Sequence, residues 1–392
     1  MRIAIVTPGG FDRTGIEKTI PVFNWIVERL AASQEVHVFT LYQEPNACVF
    51  PLLGATIHNV GRNPGRLSGT RTAWGAVRKI LRLHRSAPFE VVHGLWAGES
   101  GMAAVVAARL LRIPSIVSVL GAEVANLPEI GYGAQIHWTG RARVRAVVRS
   151  ADAVFANSRF VARRLGAIRQ DVRTIYMGVD LARFPPASAP PTGPPWRLLH
   201  VASLNRVKDQ PTLLRAMRRI REAEPATTLD IVGEDTLNGA IQRLAADLGI
   251  ADAVTFHGFQ PSPVVAEMMR RSHLLLHSSL HETGPVTLVE AAAAGVPVVG
   301  TSVGIIDDLR GQICVGVGVG DAEALASAAI ELLRNPSGYA DLRQRALAWS
   351  AENSVDRTTD EWLSVYNGLI SMRAGGRRSA SKGRISEARH AD

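Results

Sequence analysis

The chain has 392 residues, 46% hydrophobic and 20% charged, with 44 Lys and Arg against 35 Asp and Glu for a formal charge of +9. That size and balance fit a globular enzyme of two ordinary domains and exclude a disordered, collagenous or disulfide-framed chain. With two cysteines, Cys48 and Cys314, no disulfide framework or cysteine-rich zinc site is implied, and a reducing cytoplasmic setting is expected.

The first ten residues, MRIAIVTPGG, read as a buried strand running into a glycine turn. No apolar run approaches the ~18 residues of a spanning helix, so neither a signal peptide nor a membrane anchor is expected. Alternating and short apolar runs predict further strands at 36–41, 55–60, 91–94, 116–120, 153–157 and 174–177 after the first at 3–7. Helical periodicity lies between them at 17–32, 72–84 and 101–111. The segment PPASAPPTGPP at 185–195 is too rich in proline for a helix or a ladder and reads as an interdomain linker. The second half repeats the scheme, with strands at 197–204, 228–233, 254–257, 274–278, 297–301 and 313–317 and helices at 211–224, 237–248, 263–271 and 322–334. Such alternation predicts an α/β chain of two doubly wound, mostly parallel sheets, domain 1–184 and domain 196–350. A glycine-, serine- and arginine-rich tail over 373–392 is expected to be disordered.

Two such domains place a cleft at the carboxyl ends of both sheets, where sheets of this kind bind ligands. The most informative stretch, HETGPVTLVEAAAAGVPVVGT at 281–301, carries Glu282 and Glu290 at the two ends of a loop and helix start. About two helical turns separate them, too far to share one proton, so they read as two acceptors for hydroxyl groups of one extended ligand. An ordinary amphipathic helix with a solvated acid is the alternative. Thr283, Gly284, Pro285 and Val286 lie between, with proline near the first turn and free amides suited to a diphosphate. The loop Leu204-Asn205-Arg206-Val207-Lys208-Asp209 follows the first strand of the second domain and brings Arg206 or Lys208 toward the anionic end of a ligand. No acid cluster stands out as a metal site: Asp307-Asp308 reads as a helix start or surface pair, and His277 and His281 flank the end of a strand. Pro8-Gly9-Gly10-Phe11 does not match the dinucleotide fingerprint, which disfavours a nicotinamide dehydrogenase.

Charge is distributed unevenly. Residues 1–184 carry 23 Lys and Arg against 12 Asp and Glu, and residues 185–350 carry 14 against 17. Within the basic half, RTAWGAVRKILRLHR at 71–85 places Trp74, Val77 and Leu81 on one predicted face, with Arg78, Lys79, Arg82 and Arg85 largely on another. That pattern suits an anionic membrane surface or, more plainly, a packed helix with a solvated face. No nucleic-acid module is present and aromatics are 6%, so no nucleic-acid partner is expected.

Taken together, these motifs resemble glycosyltransferase family 4 of the GT-B fold from the first strand to about residue 370. VASLNRVKDQPTLL at 201–214, LDIVGE at 229–234, VTFHGF at 254–259 and the Glu282/Glu290 pair carry most of the resemblance. In the first domain TGIEK at 14–18, VVHGLWAGESG at 91–101, VFANSRFVARRL at 154–165 and YMGVDLARF at 176–184 are similar to family segments. The resemblance implies two Rossmann-like domains and a last helix, 351–372, that crosses back to the first domain. It implies transfer of a hexose-type sugar from a nucleotide-diphosphate sugar to a saccharide or lipid-linked acceptor with retention of configuration, without a metal or other cofactor. Residue by residue, it implies that Glu290 holds the ribose, Glu282 contacts the transferred sugar, and Lys208, with Arg206, meets the diphosphate. Gly15, Ser203, Asn205, Gly233 and the segment His257-Gly258-Phe259 complete the donor side, with the last near the base. Glu123, Tyr132 and Gln135 in the stretch VANLPEIGYGAQ and just before it are the acceptor-side candidates. The chain departs from the family at Ser203, where an arginine is usual, at Leu120, where a sugar-contacting histidine is usual, and at Gly284, where phenylalanine is usual. A GT-B sugar-nucleotide epimerase and a degenerate, non-catalytic member are the alternative readings.

Overall fold

The computed structural model describes residues 1–17, 19–61 and 68–388, so Lys18 of the TGIEK turn lies outside the described residues. The first half runs β1 (Arg2–Thr7), α1 (Pro21–Ala31), β2 (Glu35–Thr40), β3 (Cys48–Leu52), β4 (Ala55–Asn59), α2 (Ser68–Ser86), β5 (Val91–Leu95), α3 (Glu99–Leu111), β6 (Ser115–Val119), α4 (Trp138–Ser150), β7 (Ala153–Ala156), α5 (Arg159–Leu165) and β8 (Val172–Thr174). The second runs β9 (Arg197–Val201), α6 (Gln210–Ala223), β10 (Thr228–Val232), α7 (Ala240–Asp247), β11 (Val254–Phe256), α8 (Ser262–Arg271), β12 (Leu274–His277), α9 (Val286–Ala294), β13 (Val298–Thr301), α10 (Ile305–Leu309), β14 (Cys314–Val317), α11 (Ala322–Leu333), α12 (Pro336–Glu352) and α13 (Val355–Ala388).

The strands form two sheets, an eight-stranded one in the order β3-β4-β2-β1-β5-β6-β7-β8 and a six-stranded one in the order β11-β10-β9-β12-β13-β14. All pairings described are parallel except β3 with β4. Central strands read as unbroken apolar runs because helices cover both faces: Ile3, Ala4, Ile5 and Val6 are each 0% exposed. In the second sheet Leu274, Leu275 and Leu276 are buried in the same way. Each sheet changes direction at its first strand, β1 or β9, and both switch points open toward the cleft.

Several predicted elements shift. The helix expected from residue 17 begins at Pro21, because proline is suited to the first turn and the preceding residues are spent on an Asp12 to Thr14 turn. Strand β3 escaped prediction; it is a short edge hairpin partner with Pro51 inside it, which edge strands tolerate. The strand expected at 174–177 is β8, two residues earlier. Trp74 does not share a face with Val77: it stands 46% exposed beside Arg71, Arg78, Arg82 and Arg85 while Val77 is buried. The backbone expected to be disordered after residue 373 is helical as far as Ala388, arginine, alanine and lysine outweighing its few glycines. Residues 389–392 lie outside the described residues.

The last helix returns to the first domain. Trp362 and Tyr366 are buried there, with His93 Nδ1 hydrogen-bonded to Tyr366 Oη at 2.6 Å and the His93 and Trp362 rings 4.4 Å apart. Thr358 Oγ1 donates to the Tyr176 carbonyl at 2.9 Å, and Arg29 pairs with Asp356 at 2.8 Å. A strap of this kind fixes the hinge side and leaves the opposite side of the cleft to form the site.

Candidate active site

The site is built at the C-terminal ends of β9 and β12. After β9 the chain makes a turn in which Asn205 Oδ1 accepts from the Val207 and Lys208 amides at 3.2 and 3.3 Å. Asp209, at φ +47°, then caps α6. This turn is stitched to the exit of β12: Leu280 N–H donates to the Val207 carbonyl and Ser278 Oγ to the Lys208 carbonyl, both at 2.8 Å. Lys208 is thereby aimed at Glu282, and its ammonium hydrogen-bonds Glu282 Oε1. The same oxygen accepts from Ser279 Oγ at 2.9 Å, and His277 Nε2 stands 3.5 Å away. Burial alone would raise the Glu282 carboxyl, but the Lys208 charge and His277 outweigh it and hold the group well below the usual carboxylate range. Asn205 is thus a turn-forming residue, and Arg206 is exposed, whereas Lys208 is partly buried against Glu282.

Pro285 caps α9, whose first turn leaves amides without intrahelical partners. The helix start divides the cleft into two cavities. One, of about 590 Å³, is lined by Gly15, Ser203, Gly233, Phe259, Val286 and Glu290, among others, from both domains. Gly233 sits at φ +150°, and a Cβ there would come within 2.0 Å of the Ala202 carbonyl oxygen, so only glycine keeps this wall open. Glu290 is 6% exposed with no opposing cation, and burial pushes its carboxyl up to about 8. His257 and Gly258 stand behind this wall: His257 Nε2 meets Asp230 at 2.6 Å, and the Gly258 carbonyl accepts from Gly233 N–H at 2.8 Å.

The second cavity, of about 400 Å³, is lined by Trp96, Leu120, Glu123, Tyr132, His281 and Glu282, with others. Of the three acceptor-side candidates, Glu123 and Tyr132 line this cavity. Gln135 is not; its side-chain amide donates to the Glu123 carbonyl and braces the loop. Thr283 and Gly284 bridge the domains: Thr283 Oγ1 donates to the Leu120 carbonyl at 2.6 Å and accepts from Asn157 Nδ2 at 3.0 Å. A Cβ on Gly284 would come within 2.8 Å of that Asn157 nitrogen, so a larger residue here would have to displace the Asn157 side chain. Of the two readings of Asp307 and Asp308, the helix start holds and the surface pair does not. Both lie in α10, where Arg163 bonds Asp307 at 2.7 Å and the fully buried Asp308 carboxylate accepts from the Arg159 amide. Trp96, at φ +67°, was not foreseen; that strained backbone at the end of β5 has no signature in the sequence. Among the described residues no group of three His, Cys, Asp or Glu side chains is placed to hold a metal ion.

Comparison with known proteins decides the family. Residues 186–349 match the glycosyl transferases group 1 family, and residues 19–178 match the glycosyl transferase 4-like domain. The D-inositol 3-phosphate glycosyltransferase of Stackebrandtia nassauensis is 30% identical over 377 residues, 86% of this chain and 84% of that one. The chain belongs to glycosyltransferase family 4. Solved structures agree on the GT-B fold of this glycosyltransferase: sucrose-phosphate synthase from Thermosynechococcus elongatus superposes with a TM-score of 0.81 at 20% identity, covering 95% of this chain and 100% of that one. Anabaena HepE, crystallised with UDP and glucose, gives a TM-score of 0.73 at 17% identity, covering 94% and 100%. In this family 4 glycosyltransferase Glu282 and Glu290 line the cleft, one in each cavity.

Proposed function

We propose that this glycosyltransferase moves a hexose-type sugar from a nucleotide-diphosphate sugar to a hydroxyl of a saccharide or lipid-linked acceptor, with retention of configuration. The observation that carries the reading is the pairing of Glu282, in the wall of the smaller cavity, with Lys208. Glu290 would take the ribose hydroxyls in the larger cavity, whose apolar wall at Phe259 suits a base. The diphosphate would lie over the start of α9, between its free amides and Lys208, where negative charge building on the leaving phosphate is stabilised by fixed donors. Glu282, with Oε1 committed to Lys208 and Ser279, keeps Oε2 for a sugar hydroxyl.

In the proposed step the bond from the anomeric carbon to the β-phosphate oxygen breaks and a bond to the acceptor oxygen forms on the same face. The acceptor proton passes to the departing phosphate oxygen, so neither a separate base nor a metal is required. The UDP and glucose in the HepE structure are consistent with such a donor class. An anionic membrane surface is the proposed neighbour of α2, whose exposed face carries Trp74 with Arg71, Arg78, Arg82 and Arg85. No described helix is long and apolar enough to cross a membrane.

The test is nucleotide release from a panel of sugar nucleotides with candidate acceptors, run with and without EDTA and with donor alone as control. Acceptor-dependent release that survives EDTA, with the product anomer matching the donor, supports the reading. Conversion of the donor without an acceptor would instead favour epimerisation.

A further inference from the structure

The smaller cavity contains two buried polar atoms that the donor-side reading leaves unused. Glu123 is 5% exposed; its Oε1 accepts from the Ala97 amide at 2.9 Å and the Leu120 amide at 3.3 Å. Its Oε2 has no protein partner among the described residues. His281 is 7% exposed, its ring held between Tyr132 and Phe160 at centroid distances of 6.2 and 6.1 Å, and its Nε2 is likewise without a protein partner. An unsatisfied buried polar group is costly, and of the buried side-chain atoms without a partner among the described residues these two are the ones whose residues line this cavity. Here the two come from opposite domains and line the same cavity.

The chemistry of the pair narrows what completes it. Burial raises the proton affinity of the Glu123 carboxyl, which accepts from a hydroxyl when ionised and donates to one when protonated, and lowers that of His281, so the ring offers a lone pair or a single N–H rather than a charge. Neither group suits a phosphate. Both suit ring hydroxyls, and the adjoining faces of Trp96 and Tyr132 give a sugar or cyclitol ring something flat to rest on. The Leu120 side chain adds only apolar surface to this wall. His281 reaches it from across the cleft.

We propose that Glu123 and His281 form a two-domain clamp on a polyhydroxylated acceptor ring: one hydroxyl donates to Glu123 Oε2 while it or its neighbour bonds His281 Nε2. The clamp exists only while the domains face one another, as the Thr283 bridge to Asn157 and Leu120 now holds them. Both residues are positioning residues for the acceptor, and the assignment rests on the reading of the cleft as a sugar-transfer site.

The test uses the full chain, a sugar nucleotide that it binds, and free sugars and cyclitols, among them glucose and myo-inositol, as acceptor probes read by nucleotide release. The variants are Glu123→Gln, His281→Ala, His281→Gln and the double variant Glu123→Gln/His281→Ala. The expected result is an acceptor KM raised about tenfold in Glu123→Gln and in His281→Ala, as for one lost hydrogen bond each. His281→Gln recovers part of the loss, the double variant loses less than the product of the singles, and donor Kd stays within about twofold throughout. Acceptor KM unchanged within about twofold in both singles would overturn the clamp, as would a loss confined to donor Kd or to melting temperature. Failure of the wild-type chain to bind any sugar nucleotide would instead overturn the transfer reading beneath it, so the two failures are told apart by the donor titration.

Discussion

Glu282 and Glu290 sit at the two ends of one loop and helix start, both buried, yet their proton affinities are driven in opposite directions: Glu282 is held ionised by Lys208, whereas Glu290, facing no cation, is pushed up to about 8. Two carboxylates of one motif are thereby given different work. The first is a fixed negative charge locked to its counter-ion; the second can enter a complex as an acid and lose its proton there.

The Glu290 shift makes nucleotide affinity pH-dependent. If ribose hydroxyls donate to the ionised carboxylate, binding below the free-enzyme value of about 8 must first expel a proton. Affinity therefore weakens as pH falls from about 8 toward 6 and levels off above 8, and calorimetry in buffers of different ionisation enthalpy should register proton release. Glu290→Gln should flatten that dependence.

Lys208→Ala and Glu282→Ala should each reduce transfer by about 10²–10³-fold, the cost of losing one charge-stabilising group. Circular dichroism should be unchanged. Removing the ammonium also lets the Glu282 carboxyl rise, so in Lys208→Ala the residual rate should fall away at a higher pH than in wild type. Turnover within twofold of wild type in both variants would remove the pair from the mechanism.

Closure depends on Asp308, whose fully buried carboxylate takes the Arg159 amide and lies 3.4 Å from Arg163 of the other domain. Asp308→Ala returns that exposed amide to water and should destabilise this interdomain contact by about 1 kcal/mol. Faster hydrogen exchange at the start of α5, with donor KM raised, is the expected readout.

The buried histidines predict acid sensitivity. Burial pushes His58 and His93 down to about 3 and His200 down to about 4, all far below the value near 6.5 of an unfolded chain. Because the unfolded chain binds more protons in that window, stability is complete above about pH 6.5 and is lost progressively toward pH 3–4. Melting temperature should drop over that range. His93 bonds Tyr366 in the crossing helix, so Tyr366→Phe should lower the melting temperature at neutral pH as well.

Much of this was legible before any coordinates. The parallel strands announce themselves because both of their faces are buried, and the motifs put Lys208 and Glu282 in loops that leave strands and Glu290 in the helix that follows. What was not legible depends on contacts made at a distance. Asp307 and Asp308 read as a helix start or a surface pair, and they do start α10; their partners, more than a hundred residues away in α5, are not visible in the motif. Arg206 and Lys208 were equivalent as nearby cations until the Asn205 turn aimed one inward and the other out. Trp74 was placed with Val77 by helical periodicity, but the packing of α2 buries Val77 and turns Trp74 toward solvent with the arginines. Gln135 and Glu123 share one loop, and only its fold separates the brace from the cavity wall.

The most direct test of the central claim is calorimetric titration of the full chain with UDP-, GDP-, ADP- and dTDP-sugars beside Glu290→Ala. The account predicts saturable binding of one nucleotide class that the substitution weakens by at least about tenfold, the loss of one or more hydrogen bonds to a charged group. Absence of binding to every class, or binding indifferent to Glu290, would contradict it.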